Sequence, residues 1–325
     1  MPSSTTPRIK PPALQPGDTI GVVAPASNIS RDDLHQGCEA LRRAGYRPFY
    51  FDSILDKDLY FAGSVHRRVQ ELEEMFVREE VRAIVCARGG YGANYLLEAL
   101  DLEKIKANPK IFVGYSDLTC LLTYFSDTLG LVTFHGPMVA KDWTHDAGAD
   151  LASWTSALAL PEAWEVNLGA GSGATGLVEG TAEGILYGGC LSILAASLGT
   201  PYEIKTASTI LFMEDVAAKP FQIDRMLMQL KLAGKLDDVR GIVFGEMLDC
   251  RQTANVANQG YTLEEVVLRI VGQLGIPVAY GVRSGHVTAG NITLPIGVRA
   301  RLTVRGGQVT LKILEGAVTA DPEKV

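Results

Sequence analysis

The stretch from Lys110 to Leu122 reads KIFVGYSDLTCLL and predicts a strand that passes directly into a helix. The apolar run IFV is typical of a buried strand, and a helical pattern of apolar residues follows the Ser-Asp pair. Ser116 stands between the two elements. In a parallel sheet this place is the carboxyl edge, where ligands bind, and it is also the positive end of the helix.

The same order of elements recurs along the first part of the chain, from Thr19 to about Met138. Strand-like runs there alternate with amphipathic helical patterns; the runs are TIGVVAPAS, YRPFYF, AIVCARGG, KIFVGYS and LVTFHGPM. Such alternation predicts an α/β fold with a parallel sheet that is covered by helices on both faces. Loops at the carboxyl ends of its strands are then expected to carry function.

The second part of the chain has a different pattern. The alternation fails between about Asp146 and Glu179, where LGAGSGATG (Leu168 to Gly176) is typical of a flexible connector. Beyond it, apolar strands and two amphipathic helices precede RARLTVRGGQVTLKIL, which predicts a hairpin. We expect an N-terminal domain at 1–145, a connector at 146–178 and a second, α+β domain with an antiparallel portion at 179–325.

Length and charge restrict the function. The 325 residues suffice for two domains, and the net charge of −7 argues against nucleic acid or an anionic membrane surface as the main partner. The five cysteines are scattered without a CxxC pair, and the N-terminal residues lack the apolar core of a signal peptide. We expect a cytoplasmic protein that needs no metal, because no His, Cys or Asp cluster has ligand spacing.

Ser116 has two interpretations. As a nucleophile it would use the amide of Asp117 and the helix dipole to stabilise a developing oxyanion. As a helix cap it would accept a hydrogen bond from the first turn, and serine is a favoured cap. The sequence around it is not a G-x-S-x-G elbow, since Leu118 replaces the second glycine. Both interpretations stay open at this point.

A serine nucleophile needs a base and an orienting acid. His286 lies between glycines in a polar loop and is the best candidate base. His135 ends a predicted strand and could line the same edge or serve a structural hydrogen bond. Glu214 and Asp215 directly follow an apolar run, where a partly buried carboxylate would need a partner, although an ordinary turn fits as well.

A glycine-rich loop is the remaining candidate. CARGGYGANYLL lets the backbone approach a ligand closely and leads into a helix, but it lacks both the G-x-G-x-x-G spacing and a Walker lysine. A nest for an oxyanion or a carboxylate fits it at least as well as a phosphate cradle.

Seven motifs in order resemble the LD-carboxypeptidases of serine peptidase family S66, from about Pro16 to Leu302: PGDTIGVVAPAS, ARGGYGANYLL, FVGYSDLT, HGPM, LFMEDV, QIDRMLMQL and GHVTAGNITLPIGVRARL. The resemblance implies a catalytic triad and an oxyanion hole made of two backbone amides. The triad would be Ser116, Glu214 and His286, and the amides those of Gly90 and Asp117.

The resemblance also implies a Rossmann-like N-terminal domain, a largely β C-terminal domain and a homodimer that needs no cofactor. The reaction would be hydrolysis of the L,D bond that releases the terminal D-Ala of murein tetrapeptides. A microcin C immunity type of activity on peptidyl or aminoacyl nucleotides shares the triad, and a non-catalytic ligand-binding module is a further alternative. Candidate substrate contacts are Arg88, Gly89, Tyr91 and His135.

One position departs from the family pattern. Many relatives read Gly-Gly-Asn-Leu where this chain has Gly188-Gly189-Cys190-Leu191. A thiol replaces an amide there, so a polar role of that side chain is in doubt.

Overall fold

A computed structural model describes residues 8–168, 173–251 and 260–320 of the chain. Its strands are β1 (Thr19–Val23), β2 (Arg47–Phe49), β3 (Val81–Cys86), β4 (Ile111–Gly114), β5 (Thr133–His135), β6 (Trp164–Glu165), β7 (Thr175–Val178), β8 (Gly180–Cys190), β9 (Thr209–Glu214), β10 (Gly241–Gly245), β11 (Val278–Val282), β12 (Leu294–Ile296), β13 (Arg299–Arg305) and β14 (Gln308–Ile313). Its α-helices are α1 (Arg31–Arg43), α2 (Val65–Val77), α3 (Leu102–Ala107), α4 (Thr119–Thr128), α5 (Leu151–Leu158), α6 (Leu191–Ala196), α7 (Pro220–Leu232) and α8 (Leu263–Val271).

The chain divides into two compact units. Of the described residues, the first unit comprises 8–162, 289–297 and 316–320. The second comprises 163–168, 173–251, 260–288 and 298–315. The first unit therefore takes in two segments that the sequence analysis gave to the second domain.

The first unit contains a six-stranded sheet in the order β12-β5-β4-β3-β1-β2. All its pairings are parallel except that of β12 with β5. The four central strands are almost entirely buried, as expected for a parallel sheet with helices on both sides, although β5 contributes the buried polar residues Thr133 and His135. Because β1, β3, β4 and β5 run in the same direction, the loops that follow them share one edge of the sheet.

β12 explains why a late segment belongs to the first unit. It pairs antiparallel with β5, with Leu294 opposite His135 and Ile296 opposite Thr133. The residues before it are bound to the same unit through the backbone, since Asn291 donates to Gly148 at 2.8 Å. The short run LPI lacks the length and alternation that would have predicted an edge strand of the first sheet.

The second unit contains an eight-stranded mixed sheet in the order β6-β14-β13-β8-β9-β10-β11-β7. The strands β8 to β11 pair in parallel, and the flanking pairs are antiparallel. The hairpin of β13 and β14 turns at Gly306 and Gly307, which both have positive φ. The predicted fold class, a parallel sheet followed by a unit with an antiparallel portion, is confirmed.

The expected connector at 146–178 contains α5, β6 and β7 in its described part. Residues 169–172, the centre of the LGAGSGATG stretch, lie outside the described residues. Over the described ranges, no helix combines the length and the hydropathy that crossing a bilayer requires.

Candidate active site

Ser116 occupies a strained turn at the end of β4. The strand ends at Gly114, and a 3₁₀ turn of Ser116–Leu118 leads into α4 at Thr119. Ser116 has φ of +63°, in the left-handed region that residues other than glycine rarely adopt. No side-chain hydrogen bond caps this turn or α4, whose cap position is occupied by Leu118. The helix-cap interpretation of Ser116 is therefore wrong, and backbone strain of this kind is typical of functional sites.

The glycine loop, Arg88–Gly92, follows β3 and lies directly against the serine. A Cβ atom on Gly89 would lie 2.8 Å from Cβ and 3.0 Å from Oγ of Ser116. A side chain at position 89 would force the serine side chain or the loop to shift, which accounts for the glycine there. The loop backbone is thus within contact distance of the candidate nucleophile.

Two backbone amides near the serine are available to a ligand. None of the hydrogen bonds found within the described ranges uses the N–H of Gly90 or of Asp117 as donor. Gly90 has φ of +101°, a conformation that glycine adopts without penalty. Two such donors beside a serine hydroxyl are the equipment of an oxyanion hole. Their use as such stays a prediction.

Ser27, which follows β1 in the motif APAS, holds the glycine loop from one side. Its hydroxyl accepts a hydrogen bond from the amide of Tyr91 at 3.0 Å, and its amide donates to the carbonyl of Gly89 at 3.3 Å. A Cβ atom on Gly90 would overlap with the Ser27 hydroxyl. The sequence analysis did not single out Ser27, although a serine after a strand of the same parallel sheet was a usable signal.

Arg68 on α2 binds the C-terminal end of the glycine loop. This guanidinium on α2 is buried and donates to the carbonyls of Pro25 and Gly92, both at 2.7 Å. It also lies over the ring of Phe61, 4.9 Å from the ring centroid. Burial lowers the pKa of Arg68 from its ordinary value. No pattern in the sequence marks a buried arginine on an otherwise amphipathic helix.

The carboxylate of Asp117 holds the other end of the loop. It is 3% exposed and accepts a hydrogen bond from the amide of Ala93 at 2.7 Å. Burial raises the pKa of this carboxyl to about 6, while hydrogen bonds from the amides of Ala93 and Gly92 and the charge of Arg68 act in the opposite direction. The residue after the serine thus contributes a backbone amide and a side-chain anchor.

The predicted substrate contacts of the loop are exposed. Arg88 is exposed, with one nitrogen of its guanidinium 3.5 Å from the carbonyl oxygen of Asn28. Tyr91 is 44% exposed, and its ring centroid lies 5.9 to 6.1 Å from those of three other aromatic residues: Tyr60, Phe61 and Tyr95. These placements leave both side chains accessible, and their contact with substrate stays a prediction.

His135 is in a different situation. It ends β5, is fully buried and packs against the ring of Tyr115 with 5.8 Å between centroids. This environment favours the structural alternative over a direct contact with substrate. The side chains of His35, His66 and His145 are all exposed.

The second unit brings Glu214 and His286 together. Glu214 is the last residue of β9 and is fully buried. Its Oε2 accepts hydrogen bonds from Nδ1 of His286 at 2.7 Å and from the His286 backbone amide at 3.0 Å. Because a carboxylate can only accept, Nδ1 carries the proton, and Nε2 is left as the basic nitrogen of a neutral ring. The imidazole retains 14% exposure.

Two glycines make room for this pair. A Cβ atom on Gly245 would lie 2.6 Å from Cβ of Glu214, and one on Gly285 would lie 2.8 Å from Oε2 of the same residue. Gly285 also has φ of +96°. Gly285 therefore permits the loop that carries His286 to approach the carboxylate closely. This explains why a glycine precedes the histidine in the sequence.

Asp215, the other candidate acid, has a separate role. Its carboxylate accepts hydrogen bonds from the amide of Ser192, at the start of α6, and from that of Val216, both at 2.8 Å. Burial raises its pKa from the ordinary value. Two adjacent acids thus serve a histidine and a helix terminus respectively, and the alternative left open between them resolves geometrically in favour of Glu214.

Cys190, the departure from the family pattern, lies opposite Glu214 in the parallel register of β8 and β9. Its Sγ is 3.3 Å from the hydroxyl oxygen of Ser192. Burial, and then the charges of Glu214 and Asp215, raise the pKa of the thiol well above its ordinary value. A neutral thiol therefore occupies the position next to the buried acid.

The predicted residues fall into two groups. Ser116, Asp117 and the glycine loop, Arg88–Gly92, meet at one edge of the first sheet, and Glu214 and His286 form a hydrogen-bonded pair in the second unit. Each group is assembled within its own unit.

Comparisons with known proteins cover both units. Residues 20–136 match the LD-carboxypeptidase N-terminal domain, and residues 183–302 match the LD-carboxypeptidase C-terminal domain. A probable murein peptide carboxypeptidase of Bacillus subtilis (strain 168) is 37% identical over 311 residues, which cover 95% of this chain and 97% of the relative.

Two further relatives differ in what their names say they act on. The structure of a muramoyltetrapeptide carboxypeptidase from Oxalobacter formigenes superimposes with a TM-score of 0.82 at 28% identity, covering 93% of this chain and all of that one. The microcin C7 self-immunity protein MccF of Escherichia coli is 31% identical over 88% of this chain and 90% of its own. A structure of MccF superimposes with a TM-score of 0.87, and another contains aspartyl sulfamoyl adenosine.

Proposed function

Because the chain belongs to the LD-carboxypeptidase family, we propose that it hydrolyses the L,D peptide bond that releases the terminal D-alanine of murein tetrapeptides. Family membership makes it a serine-type carboxypeptidase and removes the alternative of a non-catalytic binding module. The observation that carries the chemistry is the bond between Glu214 and Nδ1 of His286, because it leaves Nε2 as a base.

The reaction begins with Ser116. His286, oriented by Glu214, accepts the hydroxyl proton at Nε2 while Oγ attacks the carbonyl carbon before D-alanine. The imidazolium that forms is stabilised by the buried carboxylate. It then gives its proton to the leaving amine of D-alanine, and an acyl-enzyme remains on Ser116.

Deacylation repeats these steps with water. His286 takes a proton from the water as it attacks the ester carbonyl, and it returns the proton to Oγ of Ser116 when the tripeptide leaves. The amides of Gly90 and Asp117 stabilise the oxyanion in both halves of the reaction. Their lack of partners within the described part of the chain supports this role.

A carboxypeptidase must also bind the terminal carboxylate of its substrate. In a chain with a net charge of −7, a local arginine or a backbone nest would have to supply the attraction. Arg88 is an exposed arginine next to Gly89, which contacts the nucleophile. We assign it this role, with the guanidinium forming a charge-assisted pair with the carboxylate.

The second candidate function is hydrolysis of a peptidyl or aminoacyl nucleotide. It is favoured by the similarity to MccF, whose structure superimposes with a TM-score of 0.87. The same catalytic triad and the same two backbone amides would act on either substrate. The murein activity ranks first because the relative at 37% identity carries that name.

Three substrates separate these functions: a murein tetrapeptide ending in D-alanine, its diastereomer ending in L-alanine, and an aspartyl sulfamoyl adenosine. We expect release of D-alanine from the first and at least about 100-fold slower cleavage of the other two, as a difference of about 3 kcal/mol in transition-state binding would give. Preferential cleavage of the nucleotide would replace the first proposal by the second.

The predicted cytoplasmic location and homodimer belong to the same proposal. Cell fractionation and light scattering of the purified chain measure them directly, with a mass near twice 34.9 kDa expected for the dimer.

A further inference from the structure

Asp117 is connected to both donors of the proposed oxyanion hole. Its backbone amide is one of the two proposed donors, and its carboxylate accepts a hydrogen bond from Ala93, directly after the loop that carries the other donor, Gly90. We propose that the Asp117 carboxylate is a positioning residue that fixes the glycine loop relative to Ser116, so that the two amides act together. This inference rests on the proposed function.

The contact pattern gives the carboxylate this task. No backbone–backbone hydrogen bond within the described ranges joins the glycine loop, Arg88–Gly92, to Ser116–Leu118. The amide of Ala93, the residue directly after the loop, donates to Asp117 at 2.7 Å, and the amide of Gly92 within the loop also stabilises the carboxylate. On one side of this connection, Asp117 directly follows Ser116; on the other, Ala93 lies three residues after Gly90.

The other contacts of the loop go elsewhere. Ser27 holds Tyr91 to the segment after β1, and Arg68 holds Gly92 to α2. Neither of them contacts the serine turn through a hydrogen bond. Removing the Asp117 carboxylate would therefore leave the loop attached to the sheet but free to shift relative to the nucleophile.

Burial makes the connection stiff. A carboxylate that is 3% exposed has no water to replace a lost amide partner, and leaving those donors unsatisfied is costly. The groups that face it are the amides of Ala93 and Gly92, the guanidinium of Arg68 and the thiol of Cys120. We call the Asp117 carboxylate, together with the amides that it binds, the clamp. Since burial raises the pKa of Asp117 to about 6, this carboxylate is ionised at neutral pH and loses an acceptor as the pH falls through about 6.

The test compares Asp117→Asn with Glu73→Gln. Asparagine keeps the shape and the backbone amide but offers one acceptor oxygen instead of two. Glu73 is a buried carboxylate that also accepts a backbone amide, from Asp101 at 2.8 Å, and its other hydrogen bond comes from Lys104 rather than from the glycine loop. Steady-state kinetics with the D-alanine tetrapeptide are combined with the inhibition constant of a peptidyl trifluoromethyl ketone, which forms a tetrahedral oxyanion on a serine.

We expect Asp117→Asn to lower kcat by about 10- to 100-fold, with KM within about threefold of wild type, because part of one oxyanion donor's contribution is lost. The ketone should bind weaker by the same factor, and Glu73→Gln should retain wild-type kcat. The wild-type kcat should also fall more steeply below pH 6 than that of Asp117→Asn, because only the wild type has a carboxylate to protonate at position 117. Amide exchange at Gly92 and Ala93 should be faster in the variant, because their acceptor is weakened.

A kcat of Asp117→Asn within twofold of wild type would overturn the inference, and so would an equal loss in Glu73→Gln. A loss confined to KM would assign Asp117 to substrate binding instead. An inactive wild type would contradict the proposed function itself, which distinguishes that failure from a failure of the clamp. If Asp117→Asn does not fold, exchange of the loop amides in the wild type decides: protection that is constant from pH 5 to 8 would overturn the inference.

Discussion

Ser116 and His286 are held in position by different means. The serine is placed by its backbone: it has a positive φ at the end of β4, and Gly89 has no side chain that would occupy the space of the serine side chain. The histidine is placed by hydrogen bonds from its ring and its backbone to one oxygen of buried Glu214. Function at the first position should therefore be sensitive to added volume, and at the second to removed charge.

The largest effect is expected from Ser116→Ala, which removes one hydroxyl. Within the described residues, this hydroxyl makes no hydrogen bond that stabilises the fold. Alanine tolerates φ of +63° as well as serine does, so the melting temperature should stay unchanged. The release of D-alanine should fall by about 10⁴-fold or more, the size typical of a lost serine nucleophile. A variant with near wild-type turnover would remove Ser116 from the mechanism.

Glu214→Gln should have the next largest effect, because it removes the charge that stabilises the imidazolium and fixes the tautomer. We expect kcat to fall by about 10³-fold at every pH. The neighbouring substitution Asp215→Asn is the matched control. It weakens the contact with the start of α6 and should cost about 1–3 kcal/mol of unfolding free energy with little change in kcat. An equal loss of kcat in both variants would contradict the division of roles.

Gly89→Ala tests the sensitivity of the serine to volume. Its Cβ would lie 3.0 Å from Oγ of Ser116, so the hydroxyl or the loop must move. A displacement of this size should lower kcat by about 100-fold. Gly17→Ala, at φ of +91° with no atom within 4 Å of the new Cβ, is a control that should lose stability but not activity. Equal activities of the two variants would show that the loop does not position the serine.

The pH profile tests the histidine. With a neutral imidazole as the base, kcat/KM should rise about tenfold per pH unit and level off above about pH 6 to 7, the range in which histidine titrates. The measurement is kcat/KM between pH 5 and 8 under conditions where chemistry limits the rate. A flat profile would exclude histidine as the base.

The smallest effect concerns stability. Asp117 has a pKa of about 6 in the folded chain and an ordinary value of 3.8, so ionising it costs folding free energy. Wild-type stability should therefore fall relative to Asp117→Asn as the pH rises from about 4 to 6, by roughly 3 kcal/mol at most. Urea unfolding of both proteins at several pH values gives the difference; a difference that does not vary with pH would place the titration elsewhere.

Much of this arrangement was predictable from the sequence because hydrophobic periodicity indicates which segments form strands and where each strand ends. Ser116, the glycine loop and Glu214 all follow apolar runs, and this pattern placed each at the end of a strand. His286 was found through its glycine neighbours, for which Gly285 supplies the reason. The hairpin around Gly306 followed from alternation.

Other features could not be predicted because they depend on contacts between distant segments. β12 joins the first sheet through pairing with β5, which no local pattern of three residues encodes. The support of the loop by Ser27, Arg68 and the Asp117 side chain depends on the packing of three separate elements. The left-handed backbone of Ser116 also had no signal, since serine rarely adopts it.

The central claim, that Ser116 forms an acyl-enzyme with the help of Glu214 and His286, is tested most directly by trapping that intermediate. A tetrapeptide analogue whose terminal D-alanine is replaced by D-lactate has an ester at the scissile bond, which speeds acylation relative to deacylation. Rapid acid quench followed by peptide mapping in a mass spectrometer locates the adduct. We predict a tripeptidyl group on Ser116 in the wild type, with much slower formation in His286→Ala. An adduct on a different residue, or undiminished ester hydrolysis by Ser116→Ala, would contradict the account.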